Sequence, residues 1–139
     1  MTRTTIKTVT TTLIAAAIAV TALSAPAAAG GSISVSIAPK DAEQAQAMKM
    51  GLGFYALANG LKNGANIAQL GTGNMAGIGQ NGSGNFGVVH QDGNGHNGTL
   101  QQNGNGNSYG LFQFGEGTDG HVVQNGNGQT GATFQFGWK

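Results

Sequence analysis

The second half of the chain carries a glutamine at every eleventh position. Seven glutamines stand in this register: Gln69, Gln80, Gln91, Gln102, Gln113, Gln124 and Gln135. A glycine follows each of them by two residues, at Gly71, Gly82, Gly93, Gly104, Gly115, Gly126 and Gly137. A spacing kept through the seven units indicates a repeat protein, in which stability comes from stacking one unit on the next.

The glycine content decides between helix and strand. Eleven residues accommodate one short strand and one tight turn, since strands usually have about five or six residues and glycine supplies the positive φ angles that turns require. A coiled coil with this repeat is excluded, because about three glycines per unit, at roughly 1 kcal/mol each relative to alanine, would destabilise the helix. The repeat therefore predicts strands, with the seven glycines in the turns.

Each unit has an inward face that mixes amide and apolar side chains. Because side chains alternate along a strand, Asn74, Ala76, Ile78 and Gln80 share one face. We expect this face to point inward and its amides to form ladders with the same residue one rung above, at about 4.7–4.9 Å. The asparagines expected in these ladders are Asn74, Asn85 and Asn107.

A second period of 22 residues is superimposed on the first. The residue after the glutamine is Asn81, Asn103 and Asn125 in alternate units, and it differs in the others. The sequence Phe-Gln-Phe-Gly occurs at 112–115 and again at 134–137. These features predict an all-β fold, a two-sided β-solenoid of 22-residue coils with two strands and two turns per coil. Successive strands then belong to opposite sheets, and each coil hydrogen-bonds to the next.

A specific motif lies within the first unit. The pattern Gln-x-Gly-x-x-Asn-x-Ala, with a further glutamine eleven residues after the first, runs from Gln69 to Gln80. In this motif the chain resembles the curlin repeat of bacterial curli fibre subunits, firmly over 69–135 and more weakly back to Gly60. The resemblance implies an extracellular functional amyloid that self-assembles into a homopolymeric, pilus-like fibre of the biofilm matrix and mediates surface adhesion.

The resemblance also implies partners. The implied partners are a periplasmic chaperone, an outer-membrane secretion channel, and a nucleator or major-subunit homologue at the cell surface.

The chain departs from the family pattern at one position of the unit. The small inward residue, usually alanine in the family, is Tyr109 in one unit and mostly glycine elsewhere. We expect such changes to affect the packing and the assembly rate rather than the architecture. The glycines are Gly87, Gly98, Gly120 and Gly131.

Residues 1–29 have the features of a Sec signal peptide. Arg3 and Lys7 form a basic region, an apolar stretch covers 10–23, and three alanines precede Gly30 as a cleavage site. This stretch is shorter than the roughly 20 residues that span a bilayer, so we predict secretion and no membrane span. Removal of the leader changes the formal net charge from +1 to −1, which disfavours nucleic acid as a partner.

A segment of different composition separates the leader from the repeats. Residues 32–37 alternate polar and apolar side chains, as a half-buried strand does. Residues 41–57 are predicted to form a helix with Asp41 as N-cap and Gly60 as its stop. Two roles remain open for the segment: recognition during secretion or assembly, and a cap that packs on the first coil. The predicted divisions of the chain are 1–29, 30–57 and 58–139.

Five aromatic residues near the C-terminus are predicted to line the outside of one sheet. Phe112 and Phe134 should stack in one column, Phe114 and Phe136 in the next, with Trp138 beside them. An exposed apolar patch usually marks a contact. The candidates are the predicted helix, a neighbouring protofilament in a lateral contact, or a hydrophobic surface. Alternatively, the aromatic pairs stabilise only their own sheet.

No pattern predicts an enzyme, a cofactor or a metal site. His90, His96 and His121 occupy three different positions of the unit, so they would not converge on a metal. Cysteine is absent, and no serine lies in a G-x-S-x-G motif. Two alternatives to a fibre subunit remain: a secreted monomeric solenoid that binds ice or carbohydrate through a flat face, and a disordered glycine- and asparagine-rich segment.

Overall fold

Eight strands and one helix occupy the part of the chain that the computed structural model describes, residues 30–58 and 64–139. The predicted signal peptide and the predicted helix stop at Gly60 lie outside these residues. In chain order the elements are β1 (Gly31–Ile37), α1 (Ala42–Ala58), β2 (Ala65–Leu70), β3 (Met75–Asn81), β4 (Phe86–Asn94), β5 (Asn97–Asn103), β6 (Ser108–Glu116), β7 (Asp119–Asn125) and β8 (Thr130–Trp138).

Strands β2 to β8 form the predicted two-sided β-solenoid. Strands β2, β4, β6 and β8 are neighbours in the larger sheet, and β3, β5 and β7 form the smaller one. All these neighbours are parallel, and each residue pairs with the residue 22 positions further on, as Gln69 does with Gln91 and Gln80 with Gln102. The assignment of successive strands to opposite sheets is therefore confirmed.

Paired glycines form the turns between strands. From Gly71 to Gly128, the glycines two and four residues after the glutamines have φ angles between +66° and +133°, a region that other residues rarely adopt. Stacking adds a second constraint, since a Cβ on Gly82 would overlap the carbonyl oxygen of Gly104 in the next coil. Gly137 is an exception to the predicted turn set, because β8 continues through it to Trp138.

The apolar residue of each unit forms the interior between the sheets. Val89, Leu100 and Leu111 are buried there, with Ile78 and Val122 packed against them. Full burial of such a side chain stabilises the fold by about 1.5–3 kcal/mol. The predicted inward face is thus confirmed, and the two sheets are held together by one apolar column from each.

Glycine at the small inward position has a packing explanation. A Cβ on Gly98 would lie 2.5 Å from the Oε1 of Gln113, whose amide reaches in from the opposite sheet. Tyr109 is accommodated because its neighbour one coil further on is Gly131, where a Cβ would lie 2.5 Å from the tyrosine ring. The Tyr109 hydroxyl forms a 2.8 Å hydrogen bond with the Oγ1 of Thr133. The departures from alanine therefore make room for the glutamines and for one aromatic ring.

The segment before the repeats packs on the last coil, so the predicted cap on the first coil is wrong. Strand β1 pairs antiparallel with β8, from Gly31 opposite Trp138 to Ile37 opposite Ala132. Helix α1 then crosses the outer face of the larger sheet and contacts β6 and β8. The physical reason is the apolar surface that these two strands offer on their outer side, which includes Phe112.

The helix begins as predicted and ends at the edge of the predicted repeat domain. The Oδ1 of Asp41 accepts the main-chain N–H of Gln44 at 2.8 Å, which is the bond of an N-cap. Ala58 is the last residue of α1. The first repeat strand begins at Ala65.

Candidate functional site

Two ladders of glutamine side chains run along the interior of the solenoid. In each ladder the Nε2 of one glutamine donates to the Oε1 of the glutamine one coil further on, at 2.7–2.8 Å. The odd and even glutamines of the repeat form separate ladders, as predicted. The ladder of the larger sheet contains Gln69, Gln91, Gln113 and Gln135, and that of the smaller sheet contains Gln80, Gln102 and Gln124.

The glutamine amides also cross the interior. The Nε2 of Gln91 donates to the carbonyl oxygen of Met75 at 2.8 Å, and that of Gln113 donates to Asn97 at 2.9 Å. Each acceptor stands 16 residues earlier, at the start of a strand in the opposite sheet. An unpaired buried amide costs about 1–3 kcal/mol, and here both amide hydrogens have acceptors. Sequence reasoning found the ladder but missed this bond across the coil.

The asparagines occupy the predicted inward positions but do not form the predicted amide ladder. The Nδ2 atoms of Asn85 and Asn107 donate to the carbonyl oxygens of Gly104 and Gly126. The Oδ1 of Asn85 accepts the main-chain N–H of Asn107 at 3.0 Å. Asn74 donates to a turn carbonyl in the same way. Asparagine lies beside the turn, whose main-chain groups need partners, so its amide binds the backbone of the next coil.

His96 replaces asparagine in one unit and leaves one atom without a partner. Its Nδ1 lies 2.8 Å from the Oγ1 of Thr118 and accepts the main-chain N–H of Thr118 at 3.3 Å. Its Nε2 is buried with no hydrogen-bond partner. His90 lies in the larger sheet and His121 in the smaller one. Within residues 30–58 and 64–139, no cluster of three or more histidines and acidic residues could hold a metal ion.

The predicted aromatic columns are present on the outside of the larger sheet. The rings of Phe112 and Phe134 stack with centroids 4.9 Å apart and planes at 10°. Those of Phe114 and Phe136 stack at 5.3 Å and 18°. Phe136 and Trp138 remain 46% and 45% exposed. The second column and the tryptophan are therefore the part of the patch that a further molecule can reach.

Helix α1 covers the first aromatic column. The ring of Tyr55 meets that of Phe112 edge-on at a centroid distance of 5.2 Å, and Phe112 is buried. Leu52 sits over Gly110, where a Cβ would lie 2.7 Å from its Cδ2. Of the three candidate occupants of the patch, the helix is the one found here. Burial raises the pKa of Tyr55. Its hydroxyl forms a hydrogen bond with the Nδ1 of His90, 2.6 Å away.

The two ends of the solenoid are not equivalent. At the N-terminal end, no strand of the described chain covers the outer edge of β2 or β3. At the C-terminal end, β1 covers β8, whereas β7 has no partner on its outer side among the described strands. Open edges therefore remain at β2, β3 and β7 among the described strands, whereas the outer edge of β8 is covered.

Comparisons with known proteins add no relative. No protein-family model, curated protein or solved structure matches the chain. No helix in the described part of the chain is long and apolar enough to cross a membrane. The resemblance to the curlin repeat therefore rests on the repeat residues themselves.

Proposed function

We propose that this chain is a structural subunit of an extracellular, curli-like amyloid fibre that grows by templated strand addition. In this role it is exported by its leader, passes a periplasmic chaperone and an outer-membrane channel, and assembles at the cell surface on a nucleator or major-subunit homologue. The fibre contributes to biofilm matrix and surface adhesion. The chain acts through its own stacking surfaces, as a homopolymer.

One observation carries the proposal: the glutamine ladders have a direction and are incomplete at both ends. Every ladder bond is donated towards the C-terminal coil. No donor among the described residues reaches the Oε1 of Gln69 or Gln80 at the first coil. Gln124 and Gln135 have no further glutamine above them. One end of the molecule therefore offers amide acceptors, and the other end offers amide donors.

A second copy in head-to-tail orientation extends the ladder of the larger sheet. If its β2 continues the 22-residue register on β8, its Gln69 lies over Gln135. An exposed strand edge, such as that of β2, is a template for pairing with another chain. Stacks of identical side chains in register stabilise cross-β assemblies in this way.

The outer face of the smaller sheet gives less support to a monomeric binding solenoid. Its columns mix residue types, as in Met75, Asn97 and Asp119, or Gly77, Thr99 and His121. A surface that binds a regular lattice requires the same side chain at the same position of every coil. On the outer face of the smaller sheet, the asparagines after the glutamines are the one position that meets this requirement. A monomeric binding solenoid is therefore the alternative outcome of the assembly experiment.

The deciding experiment is assembly of the purified chain in the absence of any other protein. We expect fibres by electron microscopy and a meridional reflection at about 4.7–4.8 Å with strands perpendicular to the fibre axis. Thioflavin fluorescence should rise after a lag that seeding shortens. A chain that stays soluble and monomeric at every concentration tested would contradict the proposal and favour the monomeric solenoid.

A further inference from the structure

Strand β1 occupies the position that a second copy needs for growth. In a continued solenoid, the β2 strand of the next copy would lie parallel on β8, as β8 lies on β6. That edge of β8 is already paired with β1, in seven residue pairs from Gly31 opposite Trp138 to Ile37 opposite Ala132. Growth of the larger sheet at this end therefore requires β1 to leave.

The inward side chains of β1 do not continue the ladder. Ser34 lies opposite Gln135, and Ser36 lies opposite Thr133. The Oγ of Ser36 forms a 2.8 Å hydrogen bond with the Oγ1 of Thr133. The Nε2 of Gln135 donates across the coil to Asp119 and has no glutamine acceptor in β1. Strand β1 thus satisfies the main chain of β8 but ends the glutamine column.

The edge of β7 beside β1 is open and forms a groove, here called the end groove. A cavity of about 450 Å³ lies between the two strands, lined by Ser34 and Ser36 of β1 and by Leu111 and Val122 of the solenoid interior. A second cavity, of about 600 Å³, continues between β7 and residues 38–42 after β1. The end groove lies where the next strand of the smaller sheet would be placed.

The end groove stays empty when β2 of a second copy lies on β8. The repeat contributes four strands to the larger sheet and three to the smaller one. In the 22-residue register, β3 of that copy therefore lies two rungs from β7, too far for main-chain pairing at the usual spacing of about 4.7–4.9 Å per rung. Growth at this end is therefore decided at the edge of β8.

We infer that β1 is an exchangeable cap on the growing end, and that a second copy of this chain removes it. The β2 strand of the incoming copy replaces β1 on β8. The exchange trades antiparallel pairing for parallel pairing and adds one amide bond to the ladder of the larger sheet, from Gln135 to Gln69 of the copy. This inference rests on the proposed fibre function and specifies which end is closed before growth.

A disulfide between β1 and β8 tests the exchange directly. The chain has no cysteine, and Ser36 and Thr133 are directly opposed, with their oxygens 2.8 Å apart. Their replacement in a double variant, Ser36→Cys with Thr133→Cys, gives a lock that a reductant opens. The matched control is Thr99→Cys with His121→Cys, a lock between neighbouring rungs on the outer side of the smaller sheet. The control leaves β1, β8 and the outer edge of β2 unchanged.

We expect the oxidised Ser36/Thr133 lock to elongate seeds at least about tenfold more slowly than its reduced form, because the covered edge cannot template. Its N-terminal end is unaltered, so small amounts should also terminate growth of the unmodified chain. The control lock should elongate at similar rates when oxidised and when reduced. Equal rates for the oxidised and reduced Ser36/Thr133 variant would overturn the exchange and leave the fibre function standing. If neither this reduced variant nor the unmodified chain forms fibres, the fibre function itself fails.

A second variant tests the cap without a disulfide. Val35 lies in the middle of β1, opposite Phe134, and Val35→Pro weakens this strand because proline fixes φ at about −65°, away from the values of an antiparallel strand. We expect the lag to shorten relative to the unmodified chain. A longer lag would show that β1 promotes assembly, which contradicts its role as a cap.

Discussion

Replacement of Gln102 by methionine isolates what the glutamine ladder contributes to a single molecule. Gln102 is buried in the smaller sheet and takes part in three hydrogen bonds. It accepts from Gln80 and donates to Gln124 and to the carbonyl oxygen of Phe86. Methionine has nearly the same length and flexibility, so the interior stays filled while all three bonds are lost.

The expected cost follows from the partners left behind. The Oε1 of Gln124 and the carbonyl oxygen of Phe86 each lose a donor inside the solenoid, at about 1–3 kcal/mol per group. Gln80 loses an acceptor but keeps its bond to the carbonyl oxygen of Gly64. Burial of the methionine side chain offsets about 1–2 kcal/mol of this cost. We therefore expect Gln102→Met to lower the free energy of unfolding by about 1–4 kcal/mol.

The assay is urea unfolding of freshly prepared monomer, followed by circular dichroism at a concentration where light scattering shows no assembly. The control is Gln101→Met, the same substitution one residue earlier, on the exposed outer side of β5. This control should change the stability by less than about 0.5 kcal/mol. If the two variants are equally stable, the ladder amides do not stabilise the fold and the reasoning is wrong.

Three further predictions concern the ends, the turns and the irregular unit. Gln69→Met and Gln135→Met, which alter the outermost rungs of one ladder, should each lengthen the thioflavin lag at least about twofold relative to Gln101→Met; equal lags would argue against templating by the end coils. Gly82→Ala should destabilise the monomer by about 2 kcal/mol or more in urea unfolding, because its φ is +117°, whereas Gly79→Ala, with open space around it, should be nearly neutral. His96→Asn should raise the unfolding free energy by up to about 1 kcal/mol, since it removes the buried unpaired Nε2 and restores the asparagine of other units; a clear loss of stability would contradict this.

The repeat domain could be predicted in detail because, in this fold, residues that are one sequence period apart are in contact. In a parallel, in-register solenoid, a residue meets the residue one coil away, so Gln91 contacts Gln113 for the same reason that the sequence spaces them 22 apart. The face on which a side chain lies follows from the alternation of side chains along a strand, and the positions of the turns follow from the glycines of the repeat. The ladder bonds, the apolar column and the two aromatic columns all have this origin.

The contacts that sequence reasoning missed join residues whose separation in the sequence is not a multiple of the repeat. Ser36 and Thr133 are 97 residues apart, and the alternation in β1 indicates a strand without naming its partner or its direction. The bond from Gln91 to the carbonyl oxygen of Met75 joins two different positions of the unit. Alternation along the strand predicts a ladder for asparagine as for glutamine, but the shorter asparagine side chain meets the turn backbone first, as Asn107 does at Gly126.

The unequal ends give growth a kinetic signature. If a second copy must first dock at the C-terminal end of the solenoid and then wait for β1 to leave β8, the second step is unimolecular and its rate does not depend on concentration. The elongation rate should therefore rise with monomer concentration and then reach a plateau set by the release of β1. Val35→Pro should raise the plateau, because it weakens the β1–β8 pairing, while the initial slope, which reflects docking of the second copy, should change little. A rate that rises linearly to the highest concentration, or a plateau that the variant does not move, would mean that β1 has left before the second copy arrives. Strand β1, by covering the edge of β8, would then protect the free monomer from pairing with other chains without controlling fibre growth.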